Sequence, residues 1–282
     1  MTIRPTLGVI LLATLLLASC GGSGGGGSAA TPARPAFRVL DLTTRTLGPE
    51  VAAVDLAAAE NRSTRIVFRR IPAGSFLRGQ TPGTLGRDSD ETATFANVPQ
   101  TWIAVFELTR AQWEALAGSG DRPWLRLRPS GVVGGASGAN DLPATGLSAE
   151  RIASVLAAFN ALSASDLSLP TESVWEYACR GGTSGLFAWG DSLDAATANA
   201  SAVTALSGAS GPRAVGGRAA NGFGLYDMHG NAREWAESGS GAVLRGGGWA
   251  DHPLRCRSAN RFTSVDVAQR HALSGVRLVV TP

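Results

Sequence analysis

Three cysteines and three histidines are the residues of this chain best suited to nucleophilic, redox or metal chemistry. The histidines lack the spacing of a metal-binding helix, and no His-Glu-x-x-His sequence occurs. Asp251-His252 lies near Ser258, but neighbouring residues on an extended chain point to opposite sides, which argues against a catalytic triad. Cys179 and Cys256 leave two alternatives open, a structural disulfide or a pair of free catalytic thiols.

The third cysteine, Cys20, follows an export signal. Arg4 gives a positive start, and Leu7 to Ala18 form an apolar run of about a dozen residues, too short to cross a bilayer as a helix of about 20. Small residues before Cys20 resemble the lipobox of bacterial lipoproteins, in which the cysteine is acylated. We therefore expect residues 1–20 to be a lipoprotein signal peptide and Cys20 to anchor the chain to a membrane of the bacterial cell envelope. Gly21 carries no inner-membrane retention signal, which favours the outer membrane.

Composition divides the rest of the chain. Residues 21–36 are rich in Gly, Ser and Pro and offer little to pack, so we expect a flexible linker. Residues 37–64 show only a weak helical period around 51–59 and form an N-terminal segment without an assigned role. Residues 65–282 suit one domain, and 44% hydrophobic residues can build its core. The net charge is +3 with arginine as the basic residue, and without a basic patch we expect no nucleic-acid partner.

Periodicity and capping signals predict an α+β domain that is loop-rich, with few helices and short strands. Strand signals occupy residues 65–70, 71–79, 102–107, 243–245 and 276–280. Helices are predicted after the capping residues Thr109, Ser148 and Thr171. The second helix carries an apolar stripe that includes Leu162 and is expected in the core, and the third stops at Gly181-Gly182.

Seven sequence blocks carry the strongest signal. They are Ile71 to Phe76, Phe106 to Trp113, Leu169 to Gly182, Trp189 to Asp191, Asn221 to Trp235, Leu244 to Trp249, and Gly275 to Arg277. In this order they resemble the formylglycine-generating-enzyme (sulfatase-modifying factor) family over roughly residues 65–282. The resemblance implies the family's variant of the C-type-lectin fold.

The resemblance also bears on the thiols. Aerobic members of the family oxidise a substrate cysteine with copper held by two cysteine thiolates, a ligand type that suits Cu(I). The position that matches the first thiol falls near Asp251, so only Cys256 is available and we do not expect copper. The family pattern instead implies that Cys179 is bonded to the strand carrying Cys256, and we predict a Cys179–Cys256 disulfide.

A structural calcium site is a second implication of the family. Its ligands would be the side chains of Asp227 and Glu234 and the backbone carbonyls of Gly230 and Ala232. Oxygen ligands of this kind are those that Ca²⁺ prefers.

Residues 244–280 resemble a subset of the family, the variable proteins diversified by retroelements. The subset's framework is retained at Cys256-Arg257-Ser258-Ala259 and Gly275-x-Arg277. Positions typically filled by asparagine carry mixed side chains here, each of a type that adenine mutagenesis of an asparagine codon can produce. With Trp249 we expect these variable positions to form a ligand-binding face: Ala250, Asp251, His252, Leu254, Arg255, Phe262, Thr263, Ser264, Val265 and His271. Ala268, Ala272 and Leu273 occupy further variable positions.

The sequence therefore predicts a non-catalytic, membrane-anchored binding protein whose C-terminal face, diversified by this route, takes a protein or glycan ligand. The alternative is a formylglycine-generating oxidase or a related sulfatase-maturation enzyme.

Overall fold

A six-stranded sheet forms the centre of the domain. The computed structural model describes residues 36–125, 139–194, 202–239 and 241–281, which lie within one unit, Arg34–Pro282. The expected signal peptide, Cys20 and nearly all of the linker fall outside the described residues. The strands are β1 Phe37–Asp41, β2 Thr46–Leu47, β3 Arg65–Ile71, β4 Gly74–Arg78, β5 Thr94–Val98, β6 Thr101–Ala104, β7 Asp166–Ser168, β8 Arg233–Ser238, β9 Gly241–Arg245, β10 Ser274–Gly275 and β11 Val279–Thr281.

Short strands and mixed connections define the topology. The large sheet has the order β2-β1-β3-β6-β11-β7, and all of its neighbouring strands are antiparallel. A second sheet has the order β10-β8-β9, with β10 parallel to β8 and β8 antiparallel to β9. Strands β4 and β5 form an antiparallel ribbon. The predicted α+β, loop-rich class is confirmed.

Three α-helices occur among the described residues: α1 Arg110–Ala117, α2 Ala149–Asn160 and α3 Glu172–Arg180. The predicted capping residues start them. The Thr109 hydroxyl accepts from the Gln112 N–H while the Gln112 side chain accepts from the Thr109 N–H, so two free backbone donors are satisfied together. Helix α3 ends at Gly181, whose left-handed conformation (φ 59°) suits glycine. No helix in the described part of the chain is long and apolar enough to cross a membrane.

The weak helical period around residues 51–59 corresponds to no α-helix, and a short 3₁₀ turn, Ala59–Arg62, follows it. One local expectation was wrong. Helix α2 ends at Asn160, so Leu162 lies beyond the apolar stripe and is 65% exposed. The N-terminal segment also has a place in the fold, because β1 pairs along its whole length with β3.

The core is built around large, fully buried side chains. Among the described residues these include Trp113, Trp175, Trp235, Arg245, Arg257 and Arg277. Each arginine meets a buried glutamate, with shortest N···O distances of 2.6 Å for Arg245–Glu176, 2.6 Å for Arg257–Glu91 and 2.8 Å for Arg277–Glu234. The arginines come from the late part of the chain, so these pairs fix residues 245–277 to the earlier elements.

Candidate functional site

The predicted ligand-binding residues follow β9 across a tight glycine turn. Gly247 has φ 68°, and a Cβ there would lie 2.4 Å from the Cys256 sulfur, so only glycine fits. A 3₁₀ helix, Pro253–Cys256, comes next, and the His252 Nδ1 caps it by accepting from the Leu254 N–H at 3.2 Å. We call residues 249–273 the C-terminal face.

Burial separates the framework of this face from its variable positions. Cys256, Arg257, Ser258 and Ala259 are each 0% exposed. None of the variable positions is buried. The exposed ones are Ala250, His252, Arg255, Thr263, Ser264 and Ala268, and the half-buried ones are Asp251, Leu254, Phe262, Val265, His271, Ala272 and Leu273. Trp249 is half-buried as well.

Some predicted ligand residues already have structural partners. The Asp251 carboxylate forms a two-point ion pair with the Arg233 guanidinium, at 2.6 and 2.8 Å. That guanidinium lies 4.0 Å from the centre of the Phe262 ring. Val265 packs against the main core. Asp251, Phe262 and Val265 therefore help to hold the face together. His252 and Arg255 also have partners, but both remain exposed to solvent.

A loop that sequence reasoning missed borders the face. Residues 79–92, here the acidic loop, reach it through Asp88, Asp90 and Glu91. Asp88 pairs with Arg255 at 2.9 Å, Asp90 accepts from the Thr263 hydroxyl at 3.2 Å, and Glu91 holds Arg257. Charge is the sequence signal that could have revealed this contact. Three acidic residues lie within 88–91, and three arginines lie within 255–261.

The two remaining cysteines are separate, buried thiols in this structure, so the predicted disulfide is not formed in it. The Cys179 sulfur lies 3.6 Å from the His229 Nε2 and 3.5 Å from the Met228 carbonyl oxygen, whereas the Cys256 sulfur faces the Gly247 turn. Burial raises the pKa of Cys179 to about 12 and raises the pKa of Cys256 well above its usual value. Neither thiol is placed to act as a thiolate.

His229 is fixed as a neutral ring beside the Cys179 thiol and the Cys256 backbone carbonyl. Its Nδ1 donates to the Cys256 carbonyl at 2.8 Å and its Nε2 accepts from the Ala188 N–H at 3.1 Å, which determines the tautomer. Burial lowers its pKa to about 4. With both nitrogens engaged, His229 is not a general base in this arrangement.

An acidic centre contains the predicted calcium residues. Asp227, with φ 58°, accepts from the Gly216 N–H, and Glu234 pairs with Arg277 and accepts from the Trp175 indole at 2.6 Å. Glu107, which sequence reasoning missed, also belongs to this centre, and its carboxylate accepts from the Ala232 N–H at 2.8 Å. Its signal was a charge directly after the apolar run Trp102 to Phe106.

The charges of this centre are unbalanced. Burial, followed by the charges of Asp227 and Glu234, raises the pKa of Glu107 well above its usual value. Burial also raises the pKa of Asp227 to about 6. The donor chemistry and charge fit calcium. As placed, however, the side chains accept from N–H groups, and no three His, Cys, Asp or Glu residues in the described ranges converge as metal ligands would.

Sequence comparison relates this chain to known proteins. Residues 55–282 match the sulfatase-modifying factor enzyme 1-like domain. The chain is 47% identical to the formylglycine-generating enzyme of Mycobacterium tuberculosis over 24% of this chain and 25% of that enzyme. It is 32% identical to the formylglycine-generating enzyme of Bos taurus over 31% of each. The matches thus span under a third of these relatives.

Solved structures share the fold. Treponema denticola variable protein 1 superposes with a TM-score of 0.64 at 21% identity, covering 78% of this chain and 96% of that one. PvdO from Pseudomonas aeruginosa superposes with a TM-score of 0.65 at 22% identity, covering 77% and 95%. The expected formylglycine-generating-enzyme variant of the C-type-lectin fold is confirmed. Because the family match covers most of the chain, this protein belongs to the sulfatase-modifying factor enzyme 1-like family.

Proposed function

We propose that this protein is a non-catalytic, lipid-anchored binding protein of the bacterial cell envelope, and that the C-terminal face holds its ligand, a protein or a glycan. The single observation that carries the proposal is that the framework residues of that face are buried and its variable residues are not. The framework residues 256–259 are fully buried, while every variable position retains solvent exposure. A rigid base under exchangeable side chains is what a diversified binding surface requires.

The state of the thiols argues against oxidase chemistry. The position expected for the first copper thiolate is near Asp251, whose carboxylate is engaged by Arg233. Cys256 is fully buried with a raised pKa, and soft metal binding needs a thiolate. The residues present therefore do not fit a two-thiolate copper site.

A matched pair of substitutions tests the adaptable face. Ala250 is exposed and Ala259 is 0% exposed. Ala250→Leu should change the free energy of unfolding by less than about 0.5 kcal/mol, as surface changes usually do. Ala259→Leu should cost about 1–3 kcal/mol by overpacking. Equal losses in the two variants, measured by denaturant unfolding, would mean that the face is structural and not adaptable.

The diversification itself is tested in the neighbouring DNA. We expect a near-copy of the codons for residues 249–277 beside a reverse-transcriptase gene. Between isolates, substitutions should collect at exposed positions such as His252 and Arg255 and avoid 256–259. A locus with uniform variation across these residues contradicts diversification, although it leaves the anchor proposal standing.

The oxidase alternative has a direct assay. The purified protein is incubated with copper, oxygen and a peptide containing Cys-x-Pro-x-Arg, and aldehyde is measured by mass spectrometry. We expect none. Aldehyde that disappears in Cys256→Ser would overturn the non-catalytic proposal.

Anchoring is tested on the full-length protein in cells. We expect radiolabelled palmitate to enter the wild-type chain and the protein to fractionate with the outer membrane. Cys20→Ala should remove both the label and the membrane association. Unlabelled wild-type protein in the soluble fraction would refute the anchor without bearing on the face.

Calcium is proposed as a structural ion of the acidic centre. Burial and the neighbouring carboxylates raise the pKa values of Glu107 and Asp227, and a divalent cation would supply the positive charge that favours their ionised forms. Calcium should raise the unfolding temperature relative to EDTA with a concentration dependence that magnesium does not reproduce. Identical temperatures in calcium and EDTA would exclude the site.

A further inference from the structure

A cleft lies on the N-terminal segment, distant in sequence from the C-terminal face. It has a volume of about 530 Å³, within the range of small-molecule sites. Its walls come from β1, from the turn before β2, and from the 3₁₀ turn Ala59–Arg62. Most of this lining precedes residue 55, where the match to the family begins. Most of the cleft therefore lies outside the region that matches the family.

The floor of the cleft is apolar. Val39 and Val54 line it and are half-buried against a small cluster that includes the buried residues Phe37 and Val67. Ala58 completes the apolar surface. These side chains can cover the C–H face of a ligand and exclude water from it.

The rim of the cleft carries both signs of charge. Asp41 and Arg65 pair across β1 and β3 at 3.5 Å, and their side chains are 31% and 46% exposed. Backbone N–H groups of Thr44 and Thr43, each 3.0 Å from the Asp41 Oδ1, help to lower the pKa of that carboxyl, so it is ionised at neutral pH. Asp55 adds a further acceptor at the edge.

Asn61 is a buried residue that fixes one wall of the cleft. It is 4% exposed, and its Nδ2 donates to the Asp55 carbonyl at 2.8 Å. Rotating the amide would bring two oxygens together, so this orientation is fixed. In the described part of the chain no group donates to the Asn61 Oδ1. The Gln112 Nε2 donates to the Asn61 carbonyl and thereby holds the wall in place. The Asn61 Oδ1 is itself enclosed, so this residue shapes the wall and takes no part in the hydrogen bonds offered to a ligand.

We propose that this cleft is a saccharide-binding site. The charges of Asp41 and Arg65 compensate each other. Arg65 would repel a cationic ligand, and Asp41 and Asp55 would repel an anionic one. A neutral polyhydroxyl ligand can donate to Asp41 and Asp55, accept from Arg65, and lay its C–H face on the apolar floor. The site is independent of the C-terminal face and of the lipid anchor.

Saturation-transfer NMR on the detergent-solubilised full-length chain tests the site. The probes are glucose, galactose, mannose, N-acetylglucosamine and their β-linked disaccharides, each at millimolar concentration. At least one should bind. Ala58→Phe, which fills the cleft, and Asp41→Asn, which keeps an acceptor for the turn but loses the charge, should each weaken binding about tenfold or more.

Two control variants keep the result decisive. Ala59→Phe places the same ring on the exposed neighbouring position, and Arg255→Gln alters the C-terminal face; both should bind as the wild type does. If Ala58→Phe does not fold, Asp41→Asn decides. The proposal is overturned if no probe binds, if Ala58→Phe and Ala59→Phe bind equally, or if only Arg255→Gln loses binding. That last result would assign the saccharide to the C-terminal face.

Discussion

The ion pair between Glu91 and Arg257 offers the sharpest test of how the acidic loop is held. Both side chains are 0% exposed, and the two carboxylate oxygens meet the two guanidinium nitrogens at 2.6 and 2.8 Å. The Glu91 carboxylate also accepts from the Asn260 side chain at 3.1 Å. Glu91→Gln keeps the shape of the side chain but removes its charge, leaving a buried guanidinium without a counter-charge.

The magnitude follows from burial. Removing one partner of a buried ion pair costs about 3–5 kcal/mol, because the remaining charge has lost its water and its partner. For a domain of this size each kcal/mol lowers the unfolding temperature by roughly 2–4 °C, so we expect a fall of roughly 6–20 °C. The acidic loop should also lose hydrogen-exchange protection, since Arg257 binds both the Glu91 carboxylate and the Gly86 carbonyl within it.

The same loop contains a matched control. Asp88 pairs with Arg255 at 2.9 Å, but these side chains are 39% and 52% exposed. Solvent screens such a pair, so Asp88→Asn should cost about 0–1 kcal/mol. Both variants are compared with the wild type by calorimetry and by denaturant unfolding in one buffer.

Two outcomes would refute the reasoning. One is a cost below about 1 kcal/mol for Glu91→Gln, which would mean that the pair is not buried in solution. The other is equal destabilisation by Asp88→Asn. A double-mutant cycle with Arg257→Met gives a further check, because the interaction energy of two residues in direct contact should not be zero.

Three further predictions concern the acidic centre, the thiols and the glycine turn. Burial raises the pKa of Asp227 to about 6, so its contribution to folding is present below its unfolded pKa and lost as pH rises through about 6. In EDTA at pH 7, Asp227→Asn should thus be more stable by an amount on the order of 2 kcal/mol, and lower stability in chemical unfolding would contradict this. Cys179 and Cys256 should resist a thiol reagent in the folded protein, and rapid labelling would show that they are not buried. Gly247→Ala should cost at least about 1–3 kcal/mol in chemical unfolding, whereas Gly239→Ala, with open space around it, should be nearly neutral; similar costs would contradict the crowding.

The sequence correctly predicted helix ends that depend on hydrogen bonds between residues close in sequence. The Thr109 capping box, the Thr171 cap and the Gly181 stop each involve residues within one helical turn, and each was recognised because the hydrogen-bond partners are near in sequence. Leu162 was misassigned for a related reason, since its helical spacing continues past the actual end of α2. Periodicity alone does not show where a helix stops.

Long-range contacts account for what sequence reasoning missed. β1 is recognisable only once β3 is available to pair with it, because its residues do not alternate clearly. Glu107 joins Asp227 and Glu234 across more than a hundred residues, and spacing does not predict such a meeting. The same applies to the acidic loop and the C-terminal face. The family resemblance supplied the positions of the face, whereas its burial pattern needed the fold.

The fully buried arginines have a consequence for the alkaline range. A guanidinium keeps its proton above pH 12, whereas a lysine in the same place would release it when buried. Burial by itself would lower the pKa of Arg277. The paired Glu234, and then the charges of Glu107 and Asp227, outweigh burial and raise that pKa. The ion pairs that fix the C-terminal part of the domain therefore persist in base and fail in acid, where the carboxylates are neutralised. A chain whose basic residues are all arginine thus carries a framework that tolerates alkaline surroundings.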